Sequence, residues 1–425
     1  MRRATKGKLA VSAAALLLAA GTLAACTGSD SAEGAGAELS FFIFNEPSGA
    51  YQEAADTCSQ ESGGRYTITF EFLPAQADAQ REQLVRRLGA EDDSIDIVGM
   101  DVIWIAEFAN AGWIEPWESA DAEAVTENVF DSVIGSASFE GELYSAPFTS
   151  NTQLLWYRKD RVPEPPRTWE EVIEQGERIG RDGRVQVQGN RYEGFTVWAT
   201  AMIESAGAQV LTGPTEVALE QAPTERALEV MGSFARSPVA PNDIDTSTED
   251  SARLSFESGD SSFMLNYPFV YPSAKENAPD VFKQLGATLY PRVDADKPSR
   301  PPLGGINLGV SAFSNNKDLT FEAIKCLVSP ENQITAATLG GLPPTREDVY
   351  GTPELDKAYP GFADLIKESI DNAAPRPITP AYTDLSLALQ RGLHPVADID
   401  PADVGATYDE LREKVELAVK REGVL

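Results

Sequence analysis

Histidine is almost absent from this sequence, since His394 is the only one in 425 residues. A His-rich metal site is therefore excluded, and most Ser/His or Cys/His catalytic arrangements would need that single residue. The chain also lacks a phosphate-binding glycine loop, a dinucleotide-binding glycine motif, a Gly-x-Ser-x-Gly elbow, a His-Glu-x-x-His pair and a Cys-x-x-Cys pair. These absences argue against an enzyme, and the sequence predicts no catalytic residue, no metal site and no cofactor.

Basic residues are also scarce. The chain has 35 Lys and Arg against 66 Asp and Glu, a net charge of −31. So acidic a surface repels phosphate backbones and anionic lipid headgroups, and nucleic acid is not an expected partner. After residue 26 no stretch reaches 18 consecutive apolar residues, so the sequence predicts no later membrane span. The composition, 42% hydrophobic and 24% charged, is that of a globular protein.

The N-terminus has the pattern of an export signal. Four basic residues precede an apolar run, 9–25, and residues 23–26 read Leu-Ala-Ala-Cys, which resembles a bacterial lipobox. The resemblance implies a signal peptide over 1–25, lipidation of Cys26 and a flexible tether over 26–38. The protein would then be held on the extracytoplasmic face of the cell membrane by its N-terminal lipid only. The alternative is an uncleaved membrane anchor.

Two cysteines remain once Cys26 is set aside. Cys58 and Cys326 each lie in a segment with helical spacing of apolar residues. Because an exported protein reaches an oxidising compartment, we expect these two to form a disulfide. The alternative is a pair of buried free thiols, since unpaired cysteine is often found in hydrophobic cores.

Strand and helix patterns alternate in the first part of the chain. Strands are predicted at 39–44, 66–72 and 95–100, with helices from about residue 50 and over 78–88. This alternation predicts an α/β fold with a mainly parallel sheet. Further helices are predicted over 168–179, 224–235 and 407–419, with strands at 263–265 and 304–310. Thr168 and Thr224 are expected to cap their helices.

Several segments together resemble the solute-binding proteins of carbohydrate ABC importers. They are Tyr144–Asp160, Pro165–Glu171, Ala252–Gly259, Asn266–Pro268 and Gly304–Leu308. The segments Met100–Trp113, Thr149–Tyr157 and Pro375–Pro380 are similar to the trehalose-binding lipoproteins of mycobacterial importers. The resemblance covers the chain from Leu39 onward.

The resemblance implies a type II periplasmic-binding-protein-like, maltose-binding-protein-like fold, with two α/β lobes hinged around a cleft. The first lobe would comprise 39–148 and 308–338, and the second 149–307 and 339–425. A disaccharide, trehalose above others, would bind in the cleft and be delivered to the permease subunits. The protein is expected to act as a monomer.

The resemblance also implies which residues bind the sugar. Carboxylates accept hydrogen bonds from sugar hydroxyls, arginine donates two in one plane, and aromatic rings pack on the apolar face of a sugar. Tyr267 stands where the family usually has tryptophan, and Glu46 has no counterpart in the mycobacterial pattern. Trp198 is expected in the core. The expected ligand residues are Asp101, Asn151, Glu249, Tyr267, Gly305, Ile306, Arg376 and Glu46.

Each assignment has a structural alternative. Asp101 and Glu249 could be ordinary residues at helix N-termini, Asn151 a turn residue, Tyr267 a core residue and Arg376 part of a surface salt bridge. Two functional alternatives also stand: the same fold with maltose, maltodextrin, sucrose or another glycoside as ligand, and an exported glycoside hydrolase that uses Asp101 and Glu249 as its acid/base pair. The sequence alone predicts that Arg376→Ala and Asp101→Ala abolish binding and barely change the melting temperature.

Overall fold

The architecture comes from a computed structural model, which describes residues 36–420. The predicted signal peptide and the predicted lipidation of Cys26 lie outside the described residues. The strands are β1 (Ala37–Phe44), β2 (Tyr66–Leu73), β3 (Ile97–Asp101), β4 (Ser138–Phe139), β5 (Glu142–Leu143), β6 (Ala146–Thr152), β7 (Leu154–Arg158), β8 (Val185–Gln186), β9 (Phe263–Asn266), β10 (Leu285–Thr288), β11 (Pro302–Val310) and β12 (Ala374–Pro375). The first strand begins at Ala37, so residues 37 and 38 belong to the sheet and not to the tether.

Helices connect most of these strands. They are α1 (Ala50–Glu61), α2 (Ala77–Leu88), α3 (Ile105–Asn110), α4 (Ser119–Thr126), α5 (Asp131–Ser136), α6 (Trp169–Ile179), α7 (Glu193–Ser205), α8 (Gln221–Arg236), α9 (Glu249–Glu257), α10 (Val270–Asn277), α11 (Pro279–Phe282), α12 (Lys317–Leu327), α13 (Pro330–Gly340), α14 (Pro353–Ala358), α15 (Ala363–Asp371), α16 (Tyr382–Leu393) and α17 (Gly405–Lys420). Within residues 36–420, none of these helices combines the length and the apolarity needed to cross a bilayer.

The first lobe is built on a mixed sheet. Its strands follow the order β12-β11-β3-β1-β2, and β6 pairs with β11. β1 is parallel to β2 and β3, as the β/α alternation predicts, but β11 runs antiparallel to both β3 and β6. The predicted parallel pairing is therefore correct for the three N-terminal strands and for the short pair of β11 and β12, whereas β11 is antiparallel to β3 and β6.

The second lobe is built on a separate sheet with the order β10-β7-β9-β8. β6 ends at Thr152 in the first sheet and β7 begins at Leu154 in the second, so the chain passes between the sheets at Gln153. Gln153 is fully buried, and its amide nitrogen donates to Gln188 Oε1 at 2.9 Å. The exact lobe boundaries at residues 148, 307 and 338 stay predictions.

Each lobe has its own hydrophobic packing. In the second lobe Trp169, Trp198 and Phe234 form a buried aromatic cluster with ring centroids 5.2–6.2 Å apart. The prediction that Trp198 is a core residue is confirmed. In the first lobe Cys58 on α1 forms a disulfide with Cys326 on α12. That bond joins segments 268 residues apart, and the prediction of a disulfide is confirmed.

The predicted caps are confirmed for one helix and wrong for another. Thr168 accepts a hydrogen bond from the Glu171 amide and caps α6, although the Glu171 carboxylate bonds the amide of Arg167 and not that of Thr168. Thr224 does not cap α8, which begins three residues earlier. Proline at the third position of a helix is tolerated because the first-turn amides have no partner within the helix, so Pro223 does not mark the start.

Candidate ligand-binding site

A cleft of about 430 Å³ lies between the two sheets. The first lobe contributes the end of β3, where Asp101 is the last residue, and the second contributes the N-termini of α7 and α9. The crossing strands β6 and β11 supply part of the remaining wall, together with residues of β1, α1 and the start of α2. The predicted residues that line this cleft are Asp101, Asn151, Glu249, Tyr267, Gly305, Ile306 and Arg376.

Glu46 is the exception among the predicted residues, because it lies outside the cleft and lines a neighbouring pocket. Its carboxylate accepts hydrogen bonds from the amide of Ser48 at 2.9 Å and the amide of Ala50 at 3.2 Å. Ser48 precedes α1 and Ala50 is its first residue, whose amide also donates to Ser48 Oγ at 3.3 Å. The structure therefore gives Glu46 a helix-capping contact, which the sequence analysis missed.

Arg376 connects the two lobes inside the cleft. Its side chain is only 4% exposed, and it forms ion pairs with Asp101 at 2.8 Å and Glu193 at 2.7 Å. Asp101 comes from the first lobe and Glu193 from the second. Burial alone would lower the pKa of Arg376, but the charges of Asp101 and Glu193 raise it well above its usual value, so the side chain stays protonated. The alternative of a surface salt bridge is wrong.

Glu193 was not identified from the sequence. It is the first residue of α7, and its carboxylate accepts hydrogen bonds from Tyr382 at 2.6 Å and Ser386 at 2.7 Å. Burial raises the pKa of Glu193, and the Arg376 guanidinium and these two hydroxyls oppose the rise. Arg376, Tyr382 and Ser386 all donate hydrogen bonds to this carboxylate, so Glu193 holds Arg376 in place.

Glu249 begins α9 and faces the cleft. The Tyr192 hydroxyl donates to its carboxylate, and the Thr248 hydroxyl caps the same helix by accepting from the amide of Ser251. Burial raises the pKa of Glu249, while the Tyr192 hydrogen bond lowers it. Glu249 was interpreted either as a ligand residue or as an ordinary acid at a helix N-terminus. The structure is compatible with both, because Glu249 lies in the first turn of α9 and also lines the cleft.

Gly194 makes the packing of that pair possible. A Cβ atom at this position would lie 2.2 Å from the Tyr192 hydroxyl oxygen and 2.7 Å from Glu249 Oε1. Only glycine therefore lets the tyrosine and the carboxylate sit against the start of α7. The three consecutive residues 192–194 all contribute to the site. No sequence signal points to them, because α7 also contains Thr196, Thr200 and Glu204, and the role of Glu193 depends on partners that are distant in the sequence.

The crossing strands bring backbone and amide groups to the cleft. Gly304 and Gly305 on β11 pair with Asn151 and Ser150 on β6. Gly305 has φ +137°, and a Cβ there would lie 2.2 Å from the carbonyl oxygen of Thr149, so no other residue fits. Asn151 Oδ1 is buried and accepts no hydrogen bond from residues 36–420. It is an acceptor available to a ligand.

Tyr267 follows β9 and lines the cleft. Its backbone amide donates to Asn266 Oδ1 at 2.9 Å, and the Asn266 side chain also donates to the carbonyl oxygen of Glu249 at 2.9 Å. Asn266 is fully buried and therefore fixes Tyr267 relative to Glu249. Burial raises the pKa of Tyr267, and the Glu249 charge adds to the rise, so the phenol stays neutral.

The arrangement suits a neutral ligand rich in hydroxyl groups. Asp101 and Glu249 are acceptors, Arg376 is a donor, and Tyr267 offers a ring face. Arg376 Nε is buried and makes no hydrogen bond within the described part of the chain. A ligand lacking one hydroxyl would leave such a group unpaired, at a cost of about 1–3 kcal/mol.

Comparison with known proteins agrees with this architecture. The family model for bacterial extracellular solute-binding proteins matches residues 45–334, more than half of the chain. The chain therefore belongs to the family of bacterial extracellular solute-binding proteins.

Relatives of known description share about a quarter of the sequence. A probable ABC transporter-binding protein of Deinococcus radiodurans is 26% identical over 342 residues, which are 77% of this chain and 80% of that protein. A maltotriose-binding protein of Pyrococcus abyssi is 24% identical over 272 residues, 63% of this chain and 58% of that protein.

Solved structures show the same two-lobed, maltose-binding-protein-like fold. Maltose-bound MalE3 of T. maritima has a TM-score of 0.79 at 25% identity, over 91% of this chain and 99% of that one. A solute-binding protein of Thermotoga lettingae with bound α-D-tagatose has a TM-score of 0.77 at 22% identity, over 91% and 100% of the two chains. The predicted fold is confirmed.

Proposed function

We propose that this protein is the substrate-binding protein of an ABC sugar importer, which binds a disaccharide between its lobes and delivers it to the permease. The observation that carries the proposal is the cleft group of Arg376, Asp101 and Glu249, with acceptors and a donor contributed by both lobes. Contacts that need both lobes favour the closed form when a ligand is present. The cleft volume, about 430 Å³, lies within the range of about 300–1,000 Å³ that small-molecule pockets occupy.

Trehalose is the first candidate ligand and a maltose-type sugar is the second. The sequence segments around Asp101, Asn151 and Arg376 support trehalose, because they are similar to trehalose-binding lipoproteins. The names of a maltotriose-binding relative and of a maltose-bound neighbour support the second candidate. Tyr267, in place of the usual tryptophan, offers a smaller ring and a hydroxyl, so the set of accepted disaccharides can differ from that of the mycobacterial proteins.

Titration calorimetry with trehalose, maltose, sucrose and maltodextrins separates these candidates. We expect one disaccharide to give saturable heat while chromatography finds the sugar unchanged. Glu249→Gln should abolish that heat, whereas Glu354→Gln, at an exposed first-turn position of α14, should leave it intact. Flat traces for every sugar would contradict the proposal, and turnover of a glycoside would favour the hydrolase alternative.

The membrane attachment is part of the same proposal. Lipidation of Cys26 would hold the protein at the extracytoplasmic face of the cell membrane, next to its permease. Expression of Cys26→Ala tests this: the variant should leave the membrane fraction and appear in the medium, with unchanged sugar affinity. Retention of the variant in the membrane fraction would favour the uncleaved anchor.

A further inference from the structure

A separate pocket lies beside β10 of the second sheet; we call it the arginine pocket. Its volume is about 350 Å³, and none of its lining residues also lines the sugar cleft. It forms where the segment before α6, the segment after β10 and the end of α15 come together. Its charged lining residues are Arg167, Arg292 and Glu368.

The backbone brings the two arginines of this pocket side by side. The amide of Arg292 donates to the carbonyl oxygen of Arg167 at 3.0 Å, and the amide of Trp169 donates to the carbonyl oxygen of Arg292 at 3.0 Å. Arg292 Nη1 also donates to the carbonyl oxygen of Ala295 at 2.8 Å, which fixes one end of its guanidinium group. The other N–H donors of that group remain available to a ligand.

Neither arginine has an acidic partner. Within residues 36–420 no carboxylate forms an ion pair with Arg167 or Arg292, whereas Arg226 on α8 pairs with Asp294 at 2.8 Å. Acidic residues outnumber basic ones by 66 to 35 in this chain, so the two adjacent arginines form a local positive charge on an acidic protein. Two neighbouring guanidinium groups repel each other, and an anion bound between them offsets that repulsion.

Glu368 determines which anion fits. Its carboxylate lines the same pocket and forms no ion pair with either arginine in the described part of the chain. The Asn372 side chain donates to the backbone carbonyl oxygen of Glu368 at 2.8 Å, which fixes this end of α15. A carboxylate repels an anion that offers only acceptor oxygens, but it accepts a hydrogen bond from an anion that carries a hydroxyl group. At neutral pH sulfate is of the first kind, and a phosphate group with a P–OH is of the second.

We propose that the arginine pocket binds a phosphate group that retains a P–OH, either as inorganic phosphate or as a phosphomonoester. Arg167 and Arg292 donate to its charged oxygens, and Glu368 accepts from its hydroxyl. Arginine suits this role because its planar donors match the geometry of a phosphate. The volume is near the lower end of the range of about 300–1,000 Å³ for small-molecule pockets, so a phosphate with a small substituent fits.

Titration calorimetry in a phosphate-free buffer tests the proposal with sodium phosphate, glycerol 3-phosphate and sodium sulfate as probes. We expect saturable binding of at least one phosphate compound and at least about tenfold weaker binding of sulfate, and the tighter phosphate compound identifies the source of the ligand. Arg167→Gln and Arg292→Gln should each weaken phosphate binding about ten- to hundredfold, the value of a charge-assisted hydrogen bond. Arg178→Gln, at an exposed position of α6 outside the pocket lining, is the matched control and should bind phosphate as the wild type does.

Glu368→Gln separates phosphate recognition from simple charge attraction. The glutamine amide still accepts a hydrogen bond but carries no charge, so sulfate should bind this variant about as tightly as phosphate does. The inference is overturned if neither phosphate compound binds, if sulfate binds the wild type as tightly as phosphate, or if sulfate stays weak in Glu368→Gln.

The site is independent of the proposed sugar binding. The variants at Arg167, Arg292 and Glu368 should keep the sugar affinity of the wild type, because none of these residues lines the cleft. Loss of sugar binding would therefore count against the proposed function, and loss of phosphate binding only against the arginine pocket. Thermal unfolding of each variant checks that the fold is intact.

Discussion

Arg376 is held between two carboxylates, Asp101 and Glu193, that come from different lobes. The sequence alone predicts that Arg376→Ala barely changes the melting temperature, and this geometry predicts a loss of stability instead. A buried charge is stabilised by its partners, and truncating one partner leaves the others unpaired in a desolvated place. The residue is therefore structural as well as a ligand candidate.

We predict that Arg376→Ala abolishes sugar binding and also lowers the free energy of unfolding by about 3–5 kcal/mol, because Asp101 and Glu193 lose their counter-charge. Urea unfolding of the ligand-free protein measures the loss. Arg236→Ala is the control, since Arg236 is 45% exposed in its ion pair with Asp400 and should change stability by no more than about 1 kcal/mol. An equal, small effect of both substitutions would contradict the buried role of Arg376.

At the level of the single residue, the sequence identifies the ligand candidates but not their supports. Seven predicted residues do line one cleft. Glu193 could not be distinguished among 66 acidic residues, because its role depends on burial and on partners in α16, almost 200 positions away. Glu46 stays a predicted ligand residue that lies outside the cleft lining, since no sequence pattern distinguishes a loop carboxylate that bonds the amides of Ser48 and Ala50 from one that binds a ligand.

At the level of elements, α7 and α9 both present an acidic first residue to the cleft. The N-terminus of a helix carries a partial positive charge, which favours a carboxylate there and offsets part of the cost of burying it. The position of Glu249 also depends on the cap that Thr248 gives to α9.

We predict that Thr248→Ala lowers the free energy of unfolding by about 1 kcal/mol, the usual value of a lost N-cap, and also weakens sugar binding. Thr352→Ala is the matched control, because Thr352 caps α14 in the same way, by accepting from the amide of Leu355, and α14 is outside the cleft lining. The two substitutions should cost similar stability, and only the first should reduce affinity in calorimetry. If both variants bind sugar equally well, the cap of α9 does not contribute to sugar binding.

Glu204, near the end of α7, makes stability depend on pH. Burial raises its pKa from about 4.5 to about 7, with Arg300 opposing the rise. A carboxyl with a raised pKa in the folded state stabilises the fold fully below about pH 4.5 and loses that contribution as the pH rises to about 7. In urea unfolding, the wild type should lose up to about 3 kcal/mol of unfolding free energy as the pH rises from about 4.5 to about 7. Glu204→Gln, a mimic of the protonated form, should not show this loss. The control variant Glu177→Gln, at an exposed position of α6, should show the same pH dependence as the wild type.

Which elements could be predicted depends on how locally they are encoded. The first three strands and the helices between them agree with the sequence pattern, because alternation and helical spacing are properties of neighbouring residues. The predicted start of α8 was wrong because proline is tolerated within the first turn of a helix, and Pro223 lies there. The antiparallel placement of β11 could not be derived, since its pairing with β3 joins residues about 200 positions apart.

At the level of the whole molecule, the disulfide ties α1 to α12 within the first lobe and closes a loop of 268 residues. A cross-link over so long a loop stabilises mainly by restricting the unfolded chain. The bonded cysteines are absent from the residues that line the cleft.

We predict that the double variant Cys58→Ala/Cys326→Ala loses about 2–5 kcal/mol of unfolding free energy and keeps the sugar affinity of the wild type. Urea unfolding and calorimetry on the same preparation measure the two quantities. A comparable drop in affinity would show that the first lobe needs this bond to shape its side of the cleft.

Gly305 combines two demands in one position. Its backbone lies on β11, its φ of +137° excludes other residues, and the same strand lines the cleft. A side chain at this position would displace the paired strand β6, which also lines the cleft. Ligand specificity among related solute-binding proteins should therefore vary at side chains of the flanking helices and loops, and not at this backbone position.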